Sequence, residues 1–269
     1  MTSEEATGGV FQIDAGAVQP LTPAKVRENG YAMPYHSPSY ARPPFGFLDR
    51  PALSVTYRTD LELAQAVVPE PLVIKDPLVS LAFLYMVAPG IGDYYEFSQS
   101  ISCFLGDEAV AFRPLMVAEN VTAILAGREI LGLPKKYGRP RLEQIKSSYV
   151  GTLEYDGTLV ASASMAYKFK EMDPQQARKA LTVPTVVLKI IPDPDGTIRI
   201  AELVRFEYSV TVKGAWTGPG SVTLFHHAAV PLAALPVRKI VSVSHTYSDS
   251  WIEDTKVVYD YMKEGNPKS

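Results

Sequence analysis

From residue 45 onward, the hydrophobic positions fall in short runs that alternate with polar residues or are rich in β-branched and aromatic side chains. Glycine, proline and aspartate bound these runs. Such segments are typical of β-strands, whose successive side chains point to opposite faces. The earliest clear examples are ALSVTYRT, LVSLAFLYMVA, YEFSQSISCFL and EAVAFRPLMVA.

Two Asp-Gly pairs predict tight turns between neighbouring strands. Asp156-Gly157 and Asp195-Gly196 each lie between two strand-like runs. A type I′ turn requires positive φ at both central residues, which makes Asp-Gly a strong hairpin signal. We therefore expect antiparallel strands on either side of each pair.

Helices are few in this pattern. The first has a cap at Thr59 or Asp60, an apolar stripe and a stop at Pro69. The four segments with helical character are TDLELAQAVVPEPL, NVTAILAGREILG, DPQQARKAL and the closing DTKVVYDYMKE. The predicted fold class is therefore α+β, dominated by an antiparallel sheet.

The first 45 residues differ from the rest of the chain. They combine small polar residues with six prolines, so they have little to bury and cannot sustain regular hydrogen bonding. Aromatic residues return at PPFGF. We expect an N-terminal arm over residues 1–45 and one domain over residues 46–269, because sheet-rich domains of this length are commonly single units.

Composition narrows the range of partners and compartments. The formal charge is −3, from 26 basic and 29 acidic side chains, without a basic stripe. No nucleic acid or membrane partner is expected. The single cysteine, Cys103, cannot form an intrachain disulfide, and the N-terminus has no signal-peptide pattern. A cytoplasmic protein is the expectation.

No metal site is predicted. His226 and His227 are adjacent, so in a strand they would point to opposite faces and could not share a metal. The segment DPDGTIRIAE superficially resembles a calcium-binding loop. Its glycine follows the second aspartate directly, however, and a hairpin turn explains the segment better. Cys103 lies in a strand-like run, where a buried structural role is the usual one.

The stretch GREILGLPKKYGRP holds the most informative residues. Lys135 and Lys136 directly follow Leu133 and Pro134 in a mostly apolar context. A solvated loop is the common explanation for two adjacent lysines, because lysine is rarely buried unpaired. The competing hypothesis is an amine kept dry by its apolar neighbours so that it can act as a nucleophile.

The whole stretch resembles the active-site segment of the acetoacetate decarboxylase family, in which Gly-Arg-Glu, a short spacer and Pro-Lys-Lys carry a Schiff-base lysine. The resemblance covers roughly residues 38–264. Further matching segments, in order, are YRTDLELAQAVVPEPL, GTLEYDGTLVASASMAYK, VVLKIIPDPDGTIRIAEL, GAWTGPGSVTLFHHAAVPLAALPV and VVYDYMKE.

The resemblance implies roles for individual residues. Lys135 falls on the imine-forming lysine and Lys136 on its neighbour, while Arg50 falls on an arginine at the substrate entrance. Glu96 falls on one of two acidic residues near the reacting centre. The second acidic residue is missing, because this chain has Ala82 at that position. On sequence alone, a surface arginine and an exposed strand glutamate are the competing interpretations of Arg50 and Glu96.

The resemblance also implies the fold and the chemistry. The sheet is expected to form a closed or cone-shaped barrel with a few peripheral helices, in a homo-oligomer. Phe47, Met116, Leu133 and Ala82 are expected to line a pocket for a keto acid, although ordinary core packing also explains Phe47 and Met116. If Lys135 forms an imine with a 3-oxo acid, the protonated imine accepts the electrons that carbon dioxide leaves behind, without an external cofactor.

Two other functions remain open at this point. One is an aldolase or dehydratase that forms an imine with longer 2-oxo acids on the same scaffold, which Ala82 favours. The other is a non-catalytic barrel that binds a small apolar ligand. The presence of Arg50, Glu96 and Lys135 together favours an enzyme over a binding protein.

Overall fold

A computed structural model describes residues 20–263, and the predicted arm residues 1–19 lie outside that range, as do residues 264–269. Strands dominate the described residues. They are β1 (Gly46–Arg58), β2 (Leu78–Ala88), β3 (Gly92–Leu105), β4 (Glu108–Ala118), β5 (Lys135–Tyr137), β6 (Arg139–Ile145), β7 (Ser148–Tyr155), β8 (Thr158–Ala166), β9 (Lys170–Glu171), β10 (Thr185–Pro192), β11 (Ile198–Thr217), β12 (Gly220–Leu224) and β13 (Lys239–Asp260). The helices are α1 (Pro23–Asn29), α2 (Leu61–Gln65), α3 (Val121–Ala126), α4 (Pro174–Leu181), a π-helical turn (Gly127–Leu131) and a 3₁₀ turn (Leu232–Ala234).

Nine of these strands form one sheet that closes on itself. Its order is β10-β11-β13-β1-β2-β3-β4-β5, β9 adds to β11, and β10 also pairs with β4, which joins the two sides into a ring. The pairings of β4 with β10 and with β5 are parallel, while the other neighbours are antiparallel. The sheet is therefore mixed rather than purely antiparallel. Most strand pairs are antiparallel and the helices are few, as expected.

A second, four-stranded antiparallel sheet covers part of the ring from outside. Its order is β12-β8-β7-β6, and it packs on β1, β2 and β3. The main apolar core lies between the two sheets and includes Leu53, Val55, Phe83, Phe97 and Leu153. This packing fixes the outer face of β1–β3 and leaves their inner face to the interior of the ring.

Strand β1 shows how the alternating pattern is used. Leu53, Val55 and Tyr57 are fully buried in the core between the sheets. The intervening Ser54 and Thr56 point the other way and line a cavity inside the ring. The polar half of the alternation thus faces the cavity inside the ring.

Both predicted hairpins form, with different turns. Asp156 and Gly157 have φ of 49° and 77°, as a type I′ turn requires, and connect β7 to β8. At the second turn only Gly196 has positive φ, at 85°. Asp195 Oδ1 instead accepts the Thr197 amide at 2.9 Å, and β10 and β11 pair across a wider loop.

The helix predictions hold for three segments and fail for the fourth. Segment 120–132 begins with Asn120 accepting the Ala123 amide, and segment 173–181 forms α4. Helix α2 is shorter than predicted, and its Asp60 side chain binds Arg238 rather than capping. The helix predicted over 254–264 is wrong, because residues up to Asp260 continue β13 and pair with β11. Its β-branched and aromatic residues favour this strand.

The described part of the arm is not uniformly extended. Helix α1 begins at Pro23, a first-turn position that proline tolerates, with Thr22 accepting the Lys25 amide. Tyr40 and Phe45 are buried in a cluster with Phe47 and Ala126. The arm therefore packs beside α3. Over residues 20–263, no helix has the length and apolar composition needed to cross a bilayer.

Candidate active site

The chain before Lys135 is shaped by a compact turn. The π-helical turn ends at Gly132, whose φ of 78° is in the left-handed region. A Cβ on Gly132 would lie 2.3 Å from Lys189 Cβ, so a larger residue fits neither the conformation nor the space. The Leu133 amide then returns to the Gly127 carbonyl at 2.9 Å, and β5 starts at Lys135.

Lys135 is a buried amine between an apolar wall and a carboxylate. Its side chain is 5% exposed, and Nζ lies 2.7 Å from Glu96 Oε2. The Tyr94 ring centroid is 5.5 Å from the same nitrogen. A small cavity of about 20 Å³ adjoins the lysine and is lined by Phe47, Leu133 and other apolar residues. The amine is therefore largely shielded from water, and the polar group in contact with it is the Glu96 carboxylate.

Glu96 and Tyr94 reach this site from the same strand. They are two residues apart in β3, which puts both side chains on the inner face. Burial raises the pKa of the Tyr94 hydroxyl well above its ordinary value, and Glu96 and Tyr208 raise it further, while Arg50 acts in the opposite direction. The Tyr94 hydroxyl therefore stays protonated at neutral pH.

Arg50 enters the interior directly after a β-bulge. Two residues of β1, Leu48 and Asp49, face the single Asp249 of β13, and Asp49 has φ of 46°. A bulge changes which residues share a face, so Arg50 joins Ser54 on the inner side. The Asp49 amide donates to Asp249 Oδ1 at 2.7 Å, which holds the bulge from outside.

The Arg50 guanidinium is buried with few partners. It is 7% exposed, its Nε has no hydrogen-bond partner within residues 20–263, and its Cζ lies 5.8 Å from the Tyr208 ring centroid. Burial lowers the pKa of the guanidinium; Tyr208 and Glu96 oppose this effect, and Arg113 adds to it. Such a group is suited to receive an anion.

A large cavity joins these groups inside the ring. Its volume is about 390 Å³, and its lining includes Arg50, Glu96, Ala82 and Tyr208. Helix α4 covers part of it with Gln176 and neighbouring residues. Glu96 lines this cavity while Lys135 lines the small one, so their contact lies between the two spaces.

The chain matches known proteins over most of its length. Residues 32–262 match the family model described as acetoacetate decarboxylase (ADC). The acetoacetate decarboxylase of Burkholderia vietnamiensis strain G4 is 42% identical over 246 residues, which is 91% of this chain and 100% of that protein. The chain belongs to the acetoacetate decarboxylase family. It is therefore assigned to a family of carboxy-lyases.

Solved structures of acetoacetate decarboxylases have the same fold. One superposes with a TM-score of 0.87 at 39% identity, covering 90% of this chain and 100% of the other. The acetoacetate decarboxylase of Legionella pneumophila has a TM-score of 0.83 at 35% identity, covering 88% of this chain and 97% of its own. The fold that the resemblance implied is thus the fold of the family.

Lys136, the second lysine of this family segment, does not join the site. Lys135 is buried on the inner side of β5, while Lys136 leaves on the other side and is half-buried. Its Nζ donates to the Ala229 carbonyl at 2.6 Å and lies 5.8 Å from the Tyr155 ring centroid. The two ammonium groups therefore have separate surroundings, and Lys136 contacts neither Glu96 nor the cavities.

The residues expected to line the pocket are placed differently from one another. Phe47 and Leu133 line the small cavity beside Lys135, and Ala82 lines the large one. Met116 is the register partner of Lys135 but packs in a cluster with Leu133 and lines neither cavity. Met116 is therefore an ordinary core residue.

Several groups at this site were not identified from the sequence. Tyr94 had a usable signal, because it lies two residues before Glu96 and directly precedes the predicted strand YEFSQSISCFL. Arg128 donates to the Lys135 carbonyl at 3.1 Å and fixes the start of β5. Tyr40 donates to Glu129 and ties the arm to the π-helical turn. Arg113 lines the large cavity, and only the following proline marks its strand as irregular.

The remaining candidates have structural surroundings. Within residues 20–263, no three histidine, cysteine or acidic side chains converge as metal ligands would. His226 and His227 follow β12 in a loop rather than lying in a strand, and His227 Nδ1 accepts the Ala229 amide at 3.2 Å. Cys103 is buried, and burial raises the pKa of its thiol to about 11.

Proposed function

We propose that this protein decarboxylates 3-oxo acids, with acetoacetate as the simplest substrate, through an imine on Lys135. The observation that carries the proposal is the buried Lys135 amine, 2.7 Å from Glu96 Oε2 and between the two cavities. The family of the chain supports the reaction class. Desolvation is one of the means by which enzymes activate lysine nucleophiles, and the Lys135 side chain is 5% exposed.

Formation of the imine requires the free amine. Glu96 is the acceptor nearest to the Lys135 ammonium, so it takes the proton that must leave before attack. The freed nitrogen attacks the ketone carbon, and loss of water gives the protonated imine. Glu96 lines the large cavity as well, so it can exchange protons with a substrate bound there.

Carbon dioxide then leaves from C2, the carbon next to the imine carbon. The bond between the carboxyl carbon and its neighbour breaks, and its electron pair moves into the imine to give an enamine. Protonation of the enamine carbon and hydrolysis of the new imine release the ketone and restore Lys135. The electron sink is the protonated nitrogen, so this sequence requires no external cofactor.

Arg50 is proposed to position the carboxylate. Its guanidinium is buried and its Nε unpartnered among the described residues, and a guanidinium can hold a carboxylate with two parallel hydrogen bonds. Tyr94 supplies a wall that keeps water from the amine, and its hydroxyl remains protonated. Arg50 thereby holds the carboxylate that leaves, while the imine on Lys135 accepts the electron pair.

Borohydride reduction tests this function. With acetoacetate present, reduction should fix an adduct on Lys135 and leave Lys136 unmodified, as peptide mass mapping will show. Lys136 is a matched control because it is adjacent in sequence but bound to the Ala229 carbonyl. Lys135→Ala should give neither adduct nor carbon dioxide. Modification of neither lysine, together with no carbon dioxide release, would exclude the proposal.

A second candidate is an aldolase or dehydratase that acts on 2-oxo acids. Two observations favour it: Ala82 stands where a pocket carboxylate was expected, and the cavity of about 390 Å³ has room for a longer substrate. The same imine would form on Lys135. Cleavage or dehydration of a trapped 2-oxo acid adduct, without carbon dioxide from any 3-oxo acid, would select this candidate.

Assembly and location are separate proposals. We propose a homo-oligomer in the cytoplasm. Support for assembly includes large apolar side chains at the surface of the described chain, such as Val121 at 59% and Trp251 at 41% exposure. Native mass determination in solution tests assembly, and fractionation of the producing cell tests location.

A further inference from the structure

The large cavity has a wall of hydroxyl groups. Across β13, β1, β2 and β3 the strand pairing aligns small polar side chains in rows, one of which runs through Ser242, Thr56, Ser80 and Ser100. An alkyl chain against such a wall would remove water from hydroxyl groups without replacing the lost hydrogen bonds. The wall therefore favours a polar ligand over a long hydrocarbon one.

The charges in this cavity are not balanced. Its charged lining residues are Arg50, Arg113 and Glu96. Glu96 is matched by Lys135 at 2.7 Å, while neither arginine forms an ion pair with the part of the chain that the structure describes. Arg50 is buried and Arg113 is half-buried, and a cation removed from water is costly unless an anion accompanies it. The cavity is thus prepared for more than one negative charge.

A second β-bulge directs Arg113 into the cavity. In the pairing of β3 with β4, Arg113 and Pro114 together face the single residue Ser100. Proline cannot donate to the ladder, and bulges commonly change the direction of a side chain beside an active site. Arg113 Nε donates to Ser100 Oγ at 3.3 Å, and Nη1 lies 3.5 Å from the Tyr208 hydroxyl.

Along the strands, the backbones of the two arginines lie on either side of the row that contains Glu96, and both side chains reach toward Tyr208. Glu96 is in register with Leu84 and, through it, with Ala52, whereas Arg50 precedes Ala52 by two residues. Ser100, opposite Arg113, follows Glu96 by four residues, or about 13 Å of strand. A dicarboxylate with its ketone at Lys135 can therefore meet two guanidinium groups, which enter the cavity from opposite sides of this row.

We propose that Arg113 forms a second anion subsite, and that the preferred substrates are 3-oxo acids with another carboxylate at the far end of the chain. This rests on the decarboxylase function proposed above. Arg50 receives the C1 carboxylate, two carbons from the ketone, and Arg113 receives the distal one. Only the first is lost: its bond to C2 breaks, the electron pair enters the imine, C2 is protonated, and hydrolysis releases an oxo monocarboxylate.

A matched pair of substrates tests the subsite. 3-Oxoadipate and 3-oxohexanoate have the same six-carbon chain and differ by a terminal carboxylate or methyl group. The unmodified protein should favour the dicarboxylate in kcat/KM by about 10- to 100-fold, as charge-assisted hydrogen bonds to a guanidinium allow. Arg113→Gln should abolish most of this preference, and Arg113→Lys should retain part of it.

Controls separate the subsite from stability and from general charge. Arg199→Gln removes a guanidinium whose side chain is 69% exposed, and it should leave the preference unchanged. Thermal unfolding of each variant identifies folding defects, and Arg113→Lys keeps the test valid if Arg113→Gln does not fold. Equal kcat/KM for the two acids in the unmodified protein, or a preference unaffected by Arg113→Gln, would overturn the subsite while acetoacetate turnover still supports the function.

Failure of the function itself gives a different result. If no 3-oxo acid releases carbon dioxide, calorimetric binding of 4-oxopentanoate, compared with 2-pentanone, still tests the subsite. The carboxylate should raise affinity at least about tenfold, and Arg113→Gln should remove that gain. Equal affinity for the two ketones, or a gain lost only in Arg50→Gln, would overturn the subsite on its own.

Discussion

Gly127→Ala is expected to reduce activity more than stability. Gly127 has helical φ and ψ of −64° and −42°, so alanine can adopt its conformation without strain. The added Cβ would lie 3.1 Å from both Cδ and Cε of Lys135 and 3.2 Å from Leu133 Cδ1. Carbon atoms prefer separations of about 3.5–4.0 Å, so the lysine stem must move by roughly half an ångström.

The two effects have different sizes. Replacing glycine by alanine at a compatible position raises the free energy of unfolding by about 0.4–1 kcal/mol, while crowding in a packed region costs about 1–3 kcal/mol. The net loss should therefore stay below about 3 kcal/mol. A misplacement of about 1 Å at a reacting group can lower the rate about 100-fold, so the smaller shift of Lys135 predicts roughly a tenfold loss of kcat.

Gly132→Ala is the matched comparison, at the other end of the same turn. Its φ is 78°, and the new Cβ would lie 2.3 Å from Lys189 Cβ and 2.8 Å from Lys189 Cα. The left-handed conformation costs about 1–2 kcal/mol for alanine, and a clash with backbone requires larger movement. This variant should lose more stability than Gly127→Ala.

Both variants need activity and unfolding measured on the same preparations. Carbon dioxide release from acetoacetate gives kcat, the rate of adduct formation with borohydride reports on the Lys135 amine, and denaturant unfolding gives stability. For Gly127→Ala we expect slower trapping with cooperative unfolding preserved. Wild-type kcat and trapping rate in a fully folded Gly127→Ala protein would refute the argument that this glycine makes room for the lysine stem.

Three further predictions concern other parts of the molecule. Lys136→Ala should leave kcat within about threefold, because its Nζ binds the Ala229 carbonyl away from the site; a loss above about 100-fold would contradict this. The pKa of the Cys103 thiol rises to about 11 on folding, so above about pH 8.5 the thiol ionises more readily in the unfolded chain than in the folded protein. The free energy of unfolding should therefore fall by up to about 3 kcal/mol between about pH 8.5 and pH 11. Denaturant titrations across this range should show that Cys103→Ala lacks this fall. Ala82→Glu, which puts a carboxylate into the large cavity, should raise the kcat/KM ratio of acetoacetate to 3-oxohexanoate about tenfold, and an unchanged ratio would remove Ala82 as a determinant of substrate size.

Local signals in the sequence predicted most strands but not their irregularities. Alternation identified β1, and Asp156-Gly157 identified a hairpin, because both depend on nearby residues. The closing helix was predicted wrongly, since residues around Val257 gain their strand conformation by pairing with Val204, more than 50 positions earlier. The parallel contact of β4 with β10, which closes the ring, depends on residues equally distant in sequence.

The residues of the candidate site likewise include some that the sequence identified and some that it did not. The resemblance selected Lys135, Glu96 and Arg50, and the structure puts Lys135 and Glu96 in contact, with Arg50 sharing a cavity with Glu96. The resemblance also selected Lys136. Its ammonium binds a backbone carbonyl away from the site, whereas the adjacent Lys135 is buried in the site. Strand alternation accounts for that divergence. Arg113 could not be found by alternation, because the bulge at Pro114 changes which residues share a face.

The polar face of β1 explains why pattern alone could not reveal the cavity. Ser54 and Thr56 alternate with Leu53 and Val55, which by itself is the pattern of a strand with one face in water. Here the second sheet covers the apolar face, and closure of the ring through β4 and β10 encloses the polar one. Hydroxyl groups that would be ordinary at a surface line a cavity here, where we expect them to favour polar ligands, because a ligand must replace the hydrogen bonds that water would make. The proposed substrate preference therefore depends on a long-range strand pairing as much as on the residues proposed to touch the substrate.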